Sequence, residues 1–283
     1  MVAFSIFWWN VYWYGIFYLI GFLITYFLFF SLGKKQVFAK FKNIQNLLTI
    51  DLDTFFIVLI LWVLIWWRLW HVFIYDFQYF VWNWLDVFKV WQWWMSFIWG
   101  ITWVIIWVSI FAWKKHFTMK EFWILLDLCA VVAPLCIALW RLGNFLNQEL
   151  YWIVFINRLN LSDGVINALT SLWFLHVYPK VDSLLRINTN FLSIMFEWLT
   201  LFVCLLMIFI NQLKCGKWNI WKISKIFLLW YSVVRFLLEY LRNDSQSEFI
   251  WYFSKSQRVF LWFILIDIVW IFCCLNKCKK EYL

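Results

Sequence analysis

Apolar residues in this chain do not alternate with polar ones at the period of a strand or of a water-exposed helix; they come in long unbroken runs. The runs cover about residues 4–31, 55–75, 95–113, 122–140, 191–212, 223–241 and 259–276. Each approaches or exceeds the roughly 20 residues with which an α-helix crosses the hydrocarbon core of a bilayer. Barrel strands would instead read as segments of about ten residues with alternating polarity. The pattern therefore predicts an all-α, polytopic membrane protein of seven transmembrane helices, forming one domain over residues 1–283. No Lys or Arg precedes the first run to make the charged start of a cleaved signal peptide, so it is expected to remain as the first helix.

Charge alternates between the connections. Lys34, Lys35, Lys40 and Lys42 follow the first run, Lys114, Lys115 and Lys120 the third, Lys214, Lys217 and Lys222 the fifth, and Lys277, Lys279 and Lys280 the seventh. Lys and Arg gather on the cytoplasmic side of a membrane, which predicts an outer N-terminus and a cytoplasmic C-terminus. The longest connection, residues 142–190, then forms an outer loop region.

Composition agrees: 66% of residues are hydrophobic and 14% charged, with a mean hydropathy of +0.79, against about 45–50% and 25% for soluble domains. A net charge of +9 would suit nucleic acid if the lysines formed an extended basic face. They sit in short clusters between apolar runs, so no nucleic-acid partner is expected. The seven cysteines lie mostly within or beside apolar runs, without zinc spacing or a disulfide framework, and read as small buried hydrophobes. His71, His116 and His176 read as ordinary polar residues. Histidines and carboxylates show no ligand spacing, so neither a metal nor an organic cofactor is implied.

The densest polar stretch runs from Arg141 to Glu149, where the fourth run ends. A cation, two amides and a carboxylate at membrane depth are costly unless partnered, and such groups commonly mark function. The stretch reads Arg-Leu-Gly-Asn-Phe-Leu-Asn-Gln-Glu. It resembles the phosphatidylglycerol-binding signature of the prolipoprotein diacylglyceryl transferase family, Arg-x-Gly-Asn-Phe-x-Asn-x-Glu, with Arg141, Gly143, Asn144, Phe145, Asn147 and Glu149 matching. Trp13-Tyr14-Gly15 and the segment from Tyr18 to Phe22 resemble the family's first-helix pattern. Tyr231 to Arg242 is similar to its Tyr-Gly-x-x-Arg-x-x-x-Glu-x-x-Arg segment, with Arg235, Glu239 and Arg242 in register. Asp127 and Pro134 fall where its fourth helix has Asp and Pro. The likeness is collinear from about residue 10 to 275.

Two departures stand out. After Met95-Ser96-Phe97 the family has His-Gly-Gly, whereas this chain has Ile98-Trp99-Gly100. In addition, Trp62, Trp66, Trp67, Trp70, Trp93, Trp94, Trp99, Trp103, Trp140, Trp152, Trp198, Trp221 and Trp230 stand where the family has glycine. Glycine lets membrane helices approach closely, and indole is the largest side chain that could replace it. Seven glycines in 283 residues are also far below the usual share of about 7%. These observations predict that UGA codons shown as Trp are read as Gly in the native organism. The competing expectation is a set of interfacial Trp anchors.

The resemblance implies a multi-pass protein of the bacterial inner (plasma) membrane. Its implied reaction moves the diacylglyceryl group of phosphatidylglycerol to the thiol of the lipobox cysteine on a prolipoprotein signal peptide, releasing glycerol phosphate. Partners would be those two substrates and membrane lipids. Arginine suits the phosphate because its planar fork donates two hydrogen bonds, which makes Arg141 and Arg235 the expected clamp. Asn144 and Asn147 are expected to bind the head group or hold Arg141, Glu149 and Glu239 to orient the arginines, Tyr14 to reach the lipid, and Arg68 and Arg242 to support the anionic site. With Ile98 at the histidine position the proton acceptor stays open between a phosphate oxygen and Glu149. Ile98 also raises an inactive, phospholipid-binding relative as an alternative. A transporter or assembly subunit would share the hydropathy, but paired Gly or Pro breaks in the helices are not evident.

Overall fold

The computed structural model describes residues 2–6, 9–74, 77–83, 97–148, 154–157, 160–215, 218, 222–238, 249–250, 253–254, 257, 261 and 264–265. The chain divides into two compact units, one of residues 24–128 and one of residues 1–23 with 129–283. Helix α1 (Trp13–Lys34) and helix α6 (Met119–Asn147) each belong partly to both.

The unit of residues 24–128 is built on the second half of α1, α2 (Lys42–Thr49), α3 (Leu52–Ile74), α4 (Phe77–Trp82), α5 (Phe97–Lys114) and the start of α6. Helix α2 is amphipathic: Ile44, Leu47 and Leu48 recur at helical spacing and are buried. A Cβ at Gly33 would lie 2.3 Å from the Leu48 carbonyl oxygen, so that close approach requires glycine. The start of α6 is a capping box: Thr118 Oγ1 accepts from Glu121 N at 3.3 Å, and Glu121 Oε2 accepts from Thr118 N at 2.9 Å. Helices α3 and α5 pack through an aromatic seam in which Trp66 stacks on Trp103 at 5.0 Å and Trp62 meets Trp107 at 5.8 Å.

The other unit begins with a hairpin rather than a helix. Strands β1 (Val2–Ile6) and β2 (Trp9–Tyr12) pair antiparallel, from Val2 opposite Tyr12 to Ile6 opposite Trp9. This corrects the expectation of a helix from residue 4. Val, Ile and aromatic residues favour extended pairing, and a helix over residues 4–31 would outrun the ~30 Å hydrocarbon core. After α6 come α7 (Asp163–Ser171) and a second hairpin, β3 (Leu175–Val177) with β4 (Leu185–Ile187). Then α8 (Thr189–Leu192) leads through a π-helix at Ser193–Leu199 into α9 (Thr200–Cys215). Helix α10 (Lys222–Leu238) packs back along α9 and the π-helix, and a short hairpin, β5 (Phe249–Ile250) with β6 (Phe253–Ser254), follows.

The fold is mostly helical, and three hairpins among the described residues amend the all-α reading. Among the described residues, three helical segments are long and apolar enough to cross a membrane: Gly15–Lys34, Met119–Asn147 and Thr189–Cys215. A fourth arises if Lys42–Thr49 and Leu52–Trp66, bent by 80°, count as one span. Thr102–Lys114 is a shorter apolar helix. The run at residues 259–276 lies almost entirely outside the described residues, and the count of seven spans remains an expectation.

Candidate active site

Helix α6 continues without a break through Asn147, so the Arg141 stretch occupies its last two turns rather than opening a loop at residue 142. The hydrogen bonding explains the stop. Gln148 takes a left-handed φ of 59°, its N–H donates to the Phe145 carbonyl at 2.9 Å, and its Oε1 accepts from Lys180 N at 2.8 Å. Asn144 and Asn147 are both buried, and Arg141 is half-buried with its guanidinium 5.9 Å from the Trp140 ring centroid. Three-residue spacing on a continuous helix puts each of the three beside the next.

Phe145 anchors the same turn. Its ring lies 5.3 Å from Trp173, 5.1 Å from His176 and 6.4 Å from Tyr178. Burial keeps the His176 imidazole below its ordinary pKa, favouring the neutral form. Tyr178 is fully buried, its phenol pushed up to about 12 by that burial, and its hydroxyl donates to Asn188 Oδ1 at 3.0 Å. Asn188 caps α8 by accepting from Phe191 N at 3.1 Å. The end of α6 is thereby connected, through Tyr178, to the helix that carries the π-helical stretch. Arg186 on β4 pairs with Asp182, whose carboxyl this guanidinium holds below its ordinary pKa.

Other expected residues stand on other elements or beyond the described residues. Arg235 is half-buried in the last turn of α10. Arg68 is buried on α3, in the unit of residues 24–128, with its guanidinium 5.2 Å from the Phe80 ring centroid. Tyr14 lies in the first turn of α1 and Ile98 in the first turn of α5, with side chains outside the description. Glu149, Glu239 and Arg242 fall outside the described residues. Sequence reasoning passed over Tyr178, Asn188 and Glu197. Glu197, an acid buried in the middle of the apolar run at residues 191–212, was detectable by the cost of charge at membrane depth.

Several apolar helices able to cross a bilayer, with amides and an arginine gathered at the end of one, define a membrane protein with a polar site at a helix terminus. The chain belongs to the prolipoprotein diacylglyceryl transferase family, which it matches over residues 1–273. It is 30% identical over 249 residues to a phosphatidylglycerol–prolipoprotein diacylglyceryl transferase of Chromobacterium violaceum, covering 84% of this chain and 82% of that protein. Proteins of the same description from Bordetella parapertussis and Polynucleobacter asymbioticus are each 29% identical, over 236 and 235 residues. Both alignments cover 83% of this chain, with 79% and 80% of the respective relative.

Proposed function

We propose that this chain transfers the diacylglyceryl group of phosphatidylglycerol to the lipobox cysteine thiol of prolipoproteins, releasing glycerol phosphate. The observation that carries the reading is the placement of Arg141, Asn144 and Asn147 on the last turns of α6, with both amides buried. Arg141 and Arg235 grip the phosphate and stabilise the charge that grows as glycerol phosphate leaves. Asn144 and Asn147 hold the head group, Glu149 and Glu239 orient the arginines, Tyr14 reaches the lipid, and Arg68 and Arg242 add positive potential. Residues 1–283 work as one multi-pass unit of the inner membrane, with the N-terminus outside and the C-terminus in the cytoplasm, as the lysine alternation favours.

The test is transfer from phosphatidylglycerol to a lipobox peptide by protein in phospholipid micelles. Arg141→Ala should lower the rate about 10²–10³-fold. Arg141→Lys should recover little, because an ammonium keeps the charge without the planar fork. An undiminished rate in Arg141→Ala sinks the reading. Ile98 favours a second one, a relative that binds phospholipid without transfer, which phosphatidylglycerol binding by an inactive wild type would establish.

The same reading includes glycine at the thirteen Trp positions, by native decoding of UGA. Gly33 illustrates what glycine does at a helix contact. At the α3–α5 seam, by contrast, the Trp62 Nε1–H is buried with no acceptor among the described residues. Trp173 adds a position that the sequence did not suggest. It closes α7 with φ 67°, its N–H donating to the Thr170 carbonyl at 3.0 Å and that of Phe174 to the Leu169 carbonyl at 2.9 Å. That arrangement places a residue in the left-handed region, a seat usually held by glycine.

A further inference from the structure

Glu197 is fully buried within the π-helix Ser193–Leu199. Its Oε2 accepts a hydrogen bond from Ser193 Oγ, and Ser193 Oγ accepts from Trp198 Nε1 at 3.1 Å. Its Oε1 is also buried, and no donor among the described residues reaches it. Tyr231 of α10 stacks on Trp198 with ring centroids 5.2 Å apart. The next residue, Ser232, is buried with its hydroxyl lacking a hydrogen-bond partner among the described residues. Arg235 lies three residues on, on the same side of α10.

A half-satisfied buried carboxylate is expensive to keep, and π-helical insertions concentrate at functional sites. Oε1 is the oxygen of Glu197 that no described donor occupies, so it is the atom open to a proton from a substrate. Diacylglyceryl transfer releases one proton, and Ile98 cannot take it. We infer that Glu197 is the group that accepts the proton of the attacking thiol, an inference that rests on the transfer reading above. The carboxylate takes the thiol proton, and the sulfur forms a bond to the glyceryl carbon esterified to phosphate. The carbon–oxygen bond breaks with its electron pair going to the phosphate oxygen. Glu197 then returns the proton to the departing glycerol phosphate, so the carboxylate is regenerated and the charges balance.

The decisive measurement is the pH profile of transfer in Glu197→Gln, which is isosteric and keeps an acceptor for Ser193. At pH 6 its kcat should fall about 10²–10⁴-fold with KM for phosphatidylglycerol unchanged. The remaining rate should climb tenfold per pH unit toward the ordinary thiol pKa of about 8.5, because only pre-ionised thiol then reacts. Glu197→Asp should keep the wild-type profile with a smaller loss. A Glu197→Gln profile parallel to wild type, or a loss confined to KM, overturns the assignment while leaving the transfer reading intact. So does a tenfold or larger gain in rate from Ile98→His, which would mean that the base is missing. A wild type that transfers nothing at any pH overturns the transfer reading, and the assignment with it.

Discussion

Two buried carboxylates, one in each compact unit, are built in opposite ways. Glu121 accepts four hydrogen bonds: from Thr118 N and Oγ1 at 2.9 Å, Asn43 N at 2.9 Å and Asn43 Nδ2 at 3.0 Å. Among the described residues, Glu197 accepts one, from Ser193, and its second oxygen accepts none. Burial is common to both, so burial does not separate structure from chemistry. Hydrogen bonding does: Glu121 accepts three bonds on Oε2 and one on Oε1 and ties the starts of α2 and α6 together, whereas among the described residues Glu197 accepts on Oε2 alone.

The neighbour of Glu197 offers the largest test of this contrast. Trp198, one of the positions at which glycine is expected, is buried and bonds the same Ser193 hydroxyl as Glu197. With glycine there, Ser193 serves Glu197 alone and the space of the indole opens beside the carboxylate. Trp198→Gly should therefore raise the transfer rate at least about tenfold, in line with relief of an overpacked seat. The paired measurement is mass spectrometry of native peptides, which should carry glycine at residues 62, 66, 103, 173 and 198. UGG codons at those positions, or a slower Trp198→Gly enzyme, would break the contrast.

Next in size is the effect expected from the saturated side. Glu121→Ala removes the acceptor of two bonds from half-buried Asn43 and of two from exposed Thr118, and with them the capping box. It should cost about 2–4 kcal/mol in denaturant unfolding. Transfer per folded molecule should stay within about twofold of wild type. A stable Glu121→Ala protein with lost activity would reverse the roles assigned to the two acids.

Much of this was legible in residues alone, but unevenly. Apolar runs located most of the long described helices because hydrocarbon leaves little choice, and Arg141 pointed to the candidate site because charge is rare at that depth. Thr118 and Glu121, three apart before an apolar run, spell a capping box, although their Asn43 partner belongs to a distant segment. The 80° bend between α2 and α3, the N-terminal hairpin and the π-helix depend on packing that hydropathy does not encode. Glu197 was visible as a lone acid within an apolar run, but only the fold reveals that no described donor reaches its second oxygen.

A third carboxylate bounds the comparison from the weak side. Asp182 pairs with Arg186 and accepts from Leu184 N at 3.0 Å, but it is only partly covered. Its folded pKa lies below its unfolded value, first through the Arg186 hydrogen bond. Its stabilising contribution is therefore present above the unfolded value of about 3.9 and is lost as pH falls through the folded value. Water screens the pair, so the expected effect is small. Thermal unfolding of wild type and Asp182→Asn should differ by about a degree or two at pH 6, and the two midpoints should converge as the pH is lowered toward 3. If the variant instead falls behind wild type by more as the solution is acidified, then Asp182 stabilises its hairpin through its neutral form, and degree of hydrogen-bond saturation no longer ranks the three acids.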